Sequence, residues 1–346
     1  MTINHMPHSP IEKFTWQSFG FISAAEGFVF LSGLVTGWVY GRTAITQGIS
    51  AVTKRALRRS LTLYLTNAAF VTFAILAARE RLAHLGDGFE PSLSLWAKTM
   101  LFLDSPGYSE ILRMYCVLFL VVPAIFWALV NKHLHYVLLA SGVLWLLAFF
   151  GYGMTAIPGS GYFDIVSWQL LFVAGTCCGF FFLGYGRELR ASHTWTSIAS
   201  VVVIAFLLIR HSHFLTGREL LPYFEWLSSW RRTLALGRLV DFAAFAYLVY
   251  RFRRPLNKLV HTVPGQAVVF LGRHSLHVFV WSVLASMFAY ASKFWWLGRS
   301  SVDQTVLTLL VVASCFVPAW LHARWQTWSR DSFLGSRVAG AVPVRH

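Results

Sequence analysis

Apolar residues run through this chain in nine long stretches separated by short polar ones. They fall at roughly 19–41, 57–82, 111–130, 134–155, 166–186, 194–210, 233–250, 267–290 and 304–323. About 20 apolar residues in a helix cross the hydrocarbon core of a bilayer, so each stretch predicts one spanning helix. The stretch at 194–210 is the shortest. The predicted fold class is therefore all-α, a polytopic transmembrane helix bundle of about nine spans. Residues 1–323 form a single membrane domain, and 324–346 form a cytoplasmic basic tail without fixed structure. The aromatic-rich stretch 211–232 is expected to lie along the membrane interface as an amphipathic segment.

Composition supports the same class. Hydrophobic residues make up 56% of the chain and charged residues 12%, about half the charged share of a soluble globular domain. The mean hydropathy of +0.58 covers the whole length and not one anchor. The net charge of +15 invites a nucleic-acid reading. The placement of the basic residues argues against one, because they cluster in the short loops between apolar stretches. With residues 1–18 outside and the sides alternating, the inner segments together with the flanking Arg58 and Arg59 hold 16 Lys and Arg and the outer ones 7. This asymmetry predicts a multi-pass protein of the bacterial inner membrane with its C-terminus in the cytoplasm. No signal peptide opens the chain. An odd span count with an outside N-terminus then leads to the expectation of a further helix before Met1, giving ten. Cys116, Cys177, Cys178 and Cys315 all lie in apolar stretches, where core packing is their expected role.

Polar groups inside apolar stretches are the candidates for chemistry, because each costs about 2.5–3.5 kcal/mol to insert. Glu26 stands out near the start of the first stretch. It reads either as a carboxylate that orients a catalytic His or a sugar hydroxyl, or as the partner of an intramembrane Arg such as Arg238. Arg238 and Asp241 are spaced to pair with each other on one helix face. Arg273, His274, Ser275 and His277 crowd one segment and suggest a hydrated cavity or a donor path. Trp168 and Gln169 suit a glycan site, though an interfacial Trp is commoner. Arg42, Lys54, Arg55, Arg58 and Arg59 form a basic loop, which is either a positive-inside signal or a phosphate site. Arg42 and Arg58, at the helix ends, are the stronger candidates for the latter. Gly33, Gly37 and Gly41 line one helix face and allow close helix contact. His211 and His213 are only two potential ligands, so no metal is expected.

The stretch FGFISAAEGFVFLSGLVTGWVYGR, Phe19 to Arg42, resembles the signature of the OpgC family. Through it the chain resembles the wider acyltransferase family three of membrane proteins. INHMP at 3–7, WQLLFVAG at 168–175, LGRLVDFAAFAYLV at 236–249 and LGRHSLHVF at 271–279 are similar in order to further parts of the family. The chain departs from it in lacking a longer first helix with an Arg/Asp motif. It also has Asn4, where Asp often precedes the helix-end His. The resemblance implies O-succinylation of osmoregulated periplasmic glucans, with succinyl-CoA as the donor substrate and no bound cofactor. It implies His5 as the base for the sugar hydroxyl, with Glu26 or Asn4 orienting it. Arg42, Arg58 and Arg273 would meet the acyl-CoA donor. Trp168, Gln169, Arg238 and Asp241 would meet the glucan. The expected partners are membrane lipid, acyl-CoA and a periplasmic glycan, and no nucleic acid. A transporter or glycan exporter that makes no bonds fits the intramembrane charges equally well. Against it stands the lack of an inverted repeat.

Overall fold

The computed structural model describes residues 2–6, 9–15, 17, 19–83, 85, 89–106, 109–151, 163–184, 192–212, 234–291 and 300–339. Most of the segment expected at the interface, with His213, lies outside these residues. The described elements are helical, with no strand among them. The chain divides into two compact units, one of residues 13–252 and one of residues 2–12 with 253–346.

The first unit is built on α1, Ala24–Arg79. Ser23 caps it in a reciprocal box with Glu26, an arrangement written in the sequence as Ser-x-x-Glu. The helix breaks at Gly48, where φ is 80° and ψ is 174°, a conformation that glycine reaches without a Cβ clash. Across the break, Arg55 Nη1 donates to Thr43 Oγ1 at 2.6 Å and Nη2 donates to Gln47 Oε1 at 3.4 Å. In an unbroken helix residues 43 and 55 would stand roughly 18 Å apart. The chain therefore turns back on itself at Gly48, and α1 carries both of the first two apolar stretches. The basic loop contributes Arg55 as the clasp of this turn.

The other helices of this unit are α2, Leu93–Met100; α3, Glu110–Val130; α4, Leu134–Phe149; α5, Ile165–Cys178, continued by a π-turn over Gly179–Gly184; α6, His193–Arg210; and α7, Leu236–Arg251. Helices α1 and α5 touch backbone to backbone. A Cβ on Gly33 would run into the carbonyl of Phe172, and one on Gly37 into that of Thr176. Reciprocally, Gly175 and Gly179 face the carbonyls of Phe30 and Leu34. This is the small-residue packing that lets membrane helices approach closely. Gly37→Val should therefore destabilise the protein by about 1–3 kcal/mol through overpacking, read as a lower unfolding temperature in detergent. Gly27→Ala is the control, since nothing lies within 4 Å of a Cβ there. An equal response at both positions would remove the packing argument.

The second unit contains α8, Arg253–Val260; α9, Val263–Arg273; α10, Ser275–Ala291; α11, Ser301–Ser314; and α12, Phe316–Ala339. Helices α9 and α10 meet at 90° across His274. Met6 packs with Ala289 against Leu307 and Val311, and Thr308 Oγ1 donates to Ser9 Oγ at 3.2 Å. The residues expected as an unstructured tail continue α12 as far as Ala339.

All nine apolar stretches lie largely in helices, but a count of nine spans is not confirmed. Among the described residues, five helices are long and apolar enough to cross a membrane, or six if the bent pair α9–α10 is one span. Helix α4, at 16 residues, falls short on length alone. The shortest expected stretch, by contrast, becomes α6 and qualifies. It buries only Ala199 and turns Trp195, Val201, Ile204 and Leu208 outward. An apolar surface of this kind needs lipid around it, while the backbone polar groups are satisfied within the helix.

Candidate functional site

The N-terminal end of α1 meets the first turns of α7 around three buried charges. Glu26 and Asp241 are 0% exposed and Arg238 2%. The Nη2 of Arg238 is ion-paired with Glu26 Oε1 and lies 3.5 Å from Ser23 Oγ. The other carboxylate oxygen of Glu26 accepts from the Ser23 N–H at 2.9 Å and from the Ser23 hydroxyl at 2.6 Å. Both oxygens of Glu26 are thus occupied. The intramembrane ion pair weighed from the sequence is what the structure contains.

Asp241 does not pair with Arg238 as their spacing suggested. Its Oδ2 accepts the N–H of Phe21 at 2.8 Å. That strand of backbone arrives through Gly20, whose φ is +93° and where a Cβ would collide with the same carboxylate. The bare glycine lets the segment pass over Asp241, and the backbone N–H binds Oδ2. Gln17 fixes the segment further, donating to the Phe21 carbonyl at 3.2 Å.

Three polar atoms of this cluster have no partner: Nε and Nη1 of Arg238 and Oδ1 of Asp241. Buried polar groups are nearly always satisfied. A cluster presenting spare guanidinium N–H groups beside a spare carboxylate oxygen is complementary to a hydroxyl, which accepts from one and donates to the other. Its formal charge, with one cation between two carboxylates, favours a neutral group over an anion.

The remaining sequence candidates are distributed elsewhere. Trp168 lies in α5, 2% exposed, with its indole N–H unpartnered. Gln169 is engaged in packing: its Oε1 accepts from Ser141 Oγ and its Nε2 donates to the Ser141 carbonyl, both at 2.8 Å, which joins α4 to α5. Arg42 and Arg58 are exposed on either side of the Gly48 turn. Arg273 is exposed at the end of α9 in the second unit. His5 also belongs to the second unit, so the structure does not unite it with Glu26 in one compact body. It is half-buried, and burial pushes its imidazole down to about 4.

Two sets of residues escaped the sequence reading. Ser23 holds Glu26, and the Ser-x-x-Glu pattern was the available signal. His322 of α12 lies with its Nδ1 2.8 Å from the Nδ1 of His274 and its ring stacked 3.8 Å from that of His277. Nothing in the local sequence around His322 marks it. Among the described residues no group of three or more His, Cys, Asp or Glu is placed to hold a metal ion.

Apolar helices with outward apolar faces and a buried charge cluster define an all-helical membrane protein. The family profile described as OpgC protein matches residues 1–329. The chain belongs to the OpgC family. No curated protein and no solved structure gives a significant match.

Proposed function

We propose that the protein is an integral-membrane O-acyltransferase that moves a succinyl group from succinyl-CoA to a hydroxyl of a periplasmic glucan. The observation that carries this reading is the Glu26–Arg238–Asp241 cluster in a chain of the OpgC family, with N–H groups of Arg238 and an oxygen of Asp241 left for a hydroxyl. Glu26 holds Arg238 in place, and Arg238 and Asp241 hold the acceptor. In the reaction the hydroxyl oxygen attacks the thioester carbonyl, a C–O bond forms and the C–S bond breaks. The hydroxyl proton passes to a base and from there to the departing CoA thiolate. The base implied by the family resemblance is His5. The test is direct binding of glucan oligosaccharides to Arg238→Lys and Asp241→Asn. Both should bind more weakly than wild type; unchanged binding would remove the cluster from the acceptor site.

On the donor side, Arg42 and Arg58 are the proposed contacts for the phosphates of acyl-CoA. Arg42→Ala or Arg58→Ala should weaken acyl-CoA binding by about 1.5–3 kcal/mol, the value of one charge-assisted contact, and leave glucan binding alone. Exposure lowers that figure toward its small end. Equal acyl-CoA affinity in both variants would leave these arginines a purely topological role. The proposed orientation places the tail in the cytoplasm of a bacterial inner-membrane protein. Ser336→Cys should then resist an impermeant thiol reagent in intact cells, and labelling would reverse the orientation.

The break at His274 favours a second reading as a transporter, because broken helices line solute sites in such proteins. Transporter folds pair such breaks in matching halves, and one bent pair is present among the described residues.

A further inference from the structure

We propose that the paired beginnings of α3 and α5 form a second sugar subsite, separate from the Arg238–Asp241 cluster, that grips a more distant part of the acceptor. The proposal rests on the reading of the acceptor as a glycan. Four buried polar atoms without a partner carry it: the hydroxyls of Ser105 and Ser109, Oδ1 of Asp164, and the indole N–H of Trp168. The side chains bearing them are 1%, 0%, 0% and 2% exposed in that order.

The two helix starts are tied together. The Phe163 N–H donates to Glu110 Oε2 at 3.3 Å, and the Phe163 ring lies 4.7 Å from that of Trp168. Asp164 caps α5 with one oxygen only. Its Oδ2 accepts from the Ser167 N–H at 3.0 Å and from the Ser167 hydroxyl at 2.7 Å. Its Oδ1 is free of any structural duty.

The chemistry of the four atoms selects the ligand. An indole N–H only donates, a carboxylate oxygen only accepts, and a serine hydroxyl does both. That mixture matches a run of sugar hydroxyls, each of which is donor and acceptor at once. The local charge excludes the other candidates. Glu110 and Asp164 outnumber Arg113, and all three are buried, so phosphate from a donor or a lipid headgroup would be repelled.

Trp168→Phe keeps an aromatic ring but removes the pyrrole portion of the indole with its N–H; Ser109→Ala removes one hydroxyl. The measurement is direct binding of fluorescent β-glucan oligosaccharides of graded length to the purified full chain in detergent, with unfolding temperature as the check on folding. Each variant should lose roughly five- to tenfold in affinity for long oligosaccharides while a disaccharide binds as before. The Arg238→Lys variant, by contrast, should lose affinity for both lengths. Unchanged binding of long oligosaccharides in Trp168→Phe and Ser109→Ala would overturn the subsite and leave the glycan reading standing, as would an equal loss at every length. Wild-type protein that binds no glucan at any length would instead overturn the glycan reading itself.

Discussion

Alanine at Arg238 should destabilise the protein by about 3–5 kcal/mol, the cost of stripping one partner from a buried ion pair. The side chains concerned are 2% and 0% exposed, so solvent cannot take over the lost contact. Without Arg238, Glu26 and Asp241 remain as two carboxylates in one buried cluster with no cation between them. Glu26 keeps its cap on Ser23, so the damage reports the ion pair and not the helix start. Combining Glu26→Gln with Arg238→Met replaces the pair by neutral groups and should recover much of the loss. Thermal unfolding in detergent of Glu26→Gln, of Arg238→Met and of the double variant reads the coupling. Additive losses would show that the pair contributes nothing as a pair.

His5→Ala should lower acyl transfer by about 10²–10⁴-fold, the usual contribution of a positioned general base. A base works only in its unprotonated form. Burial pushes His5 down to about 4, so it stays unprotonated throughout the range from pH 5 to 8. The rate that depends on His5 should therefore hold level as pH falls through 6.5 and drop only towards 4. A decline centred near 6.5 would belong to some other group, and a full rate in His5→Ala would remove His5 from the chemistry altogether.

The helices were legible in the sequence because membrane insertion writes itself as long apolar stretches, and every one of the nine lies largely in a helix. The turn between the first two was legible as a basic gap, although Gly48 and the Arg55 clasp were not. The span count was less readable, since α4 is apolar throughout but only 16 residues long, and hydropathy alone does not separate a full crossing from a partial one. Glu26, Arg238 and Asp241 all announced themselves as charges in apolar surroundings. The Glu26–Arg238 pair was one of two readings open from the sequence, whereas the contact of Asp241 with the Phe21 N–H joins residues 220 positions apart and had no local signal. The local rule for i, i+3 neighbours pointed Asp241 at Arg238. The fold instead brought a backbone N–H over Gly20 to claim the carboxylate. Gln169, an amide that suits a sugar, is hydrogen-bonded to Ser141 on the neighbouring helix, a partner the local sequence does not show.

The central claim is that this membrane protein makes a covalent bond between an acyl group and a glycan. Its most direct test is the wild-type protein in proteoliposomes, supplied with radiolabelled succinyl-CoA on one side and glucan on the other. The account predicts label attached to the glucan as an ester, released by mild base as succinate, with free CoA formed in equal amount. Solute carried across the bilayer with no label on the glucan would contradict it and favour the transporter.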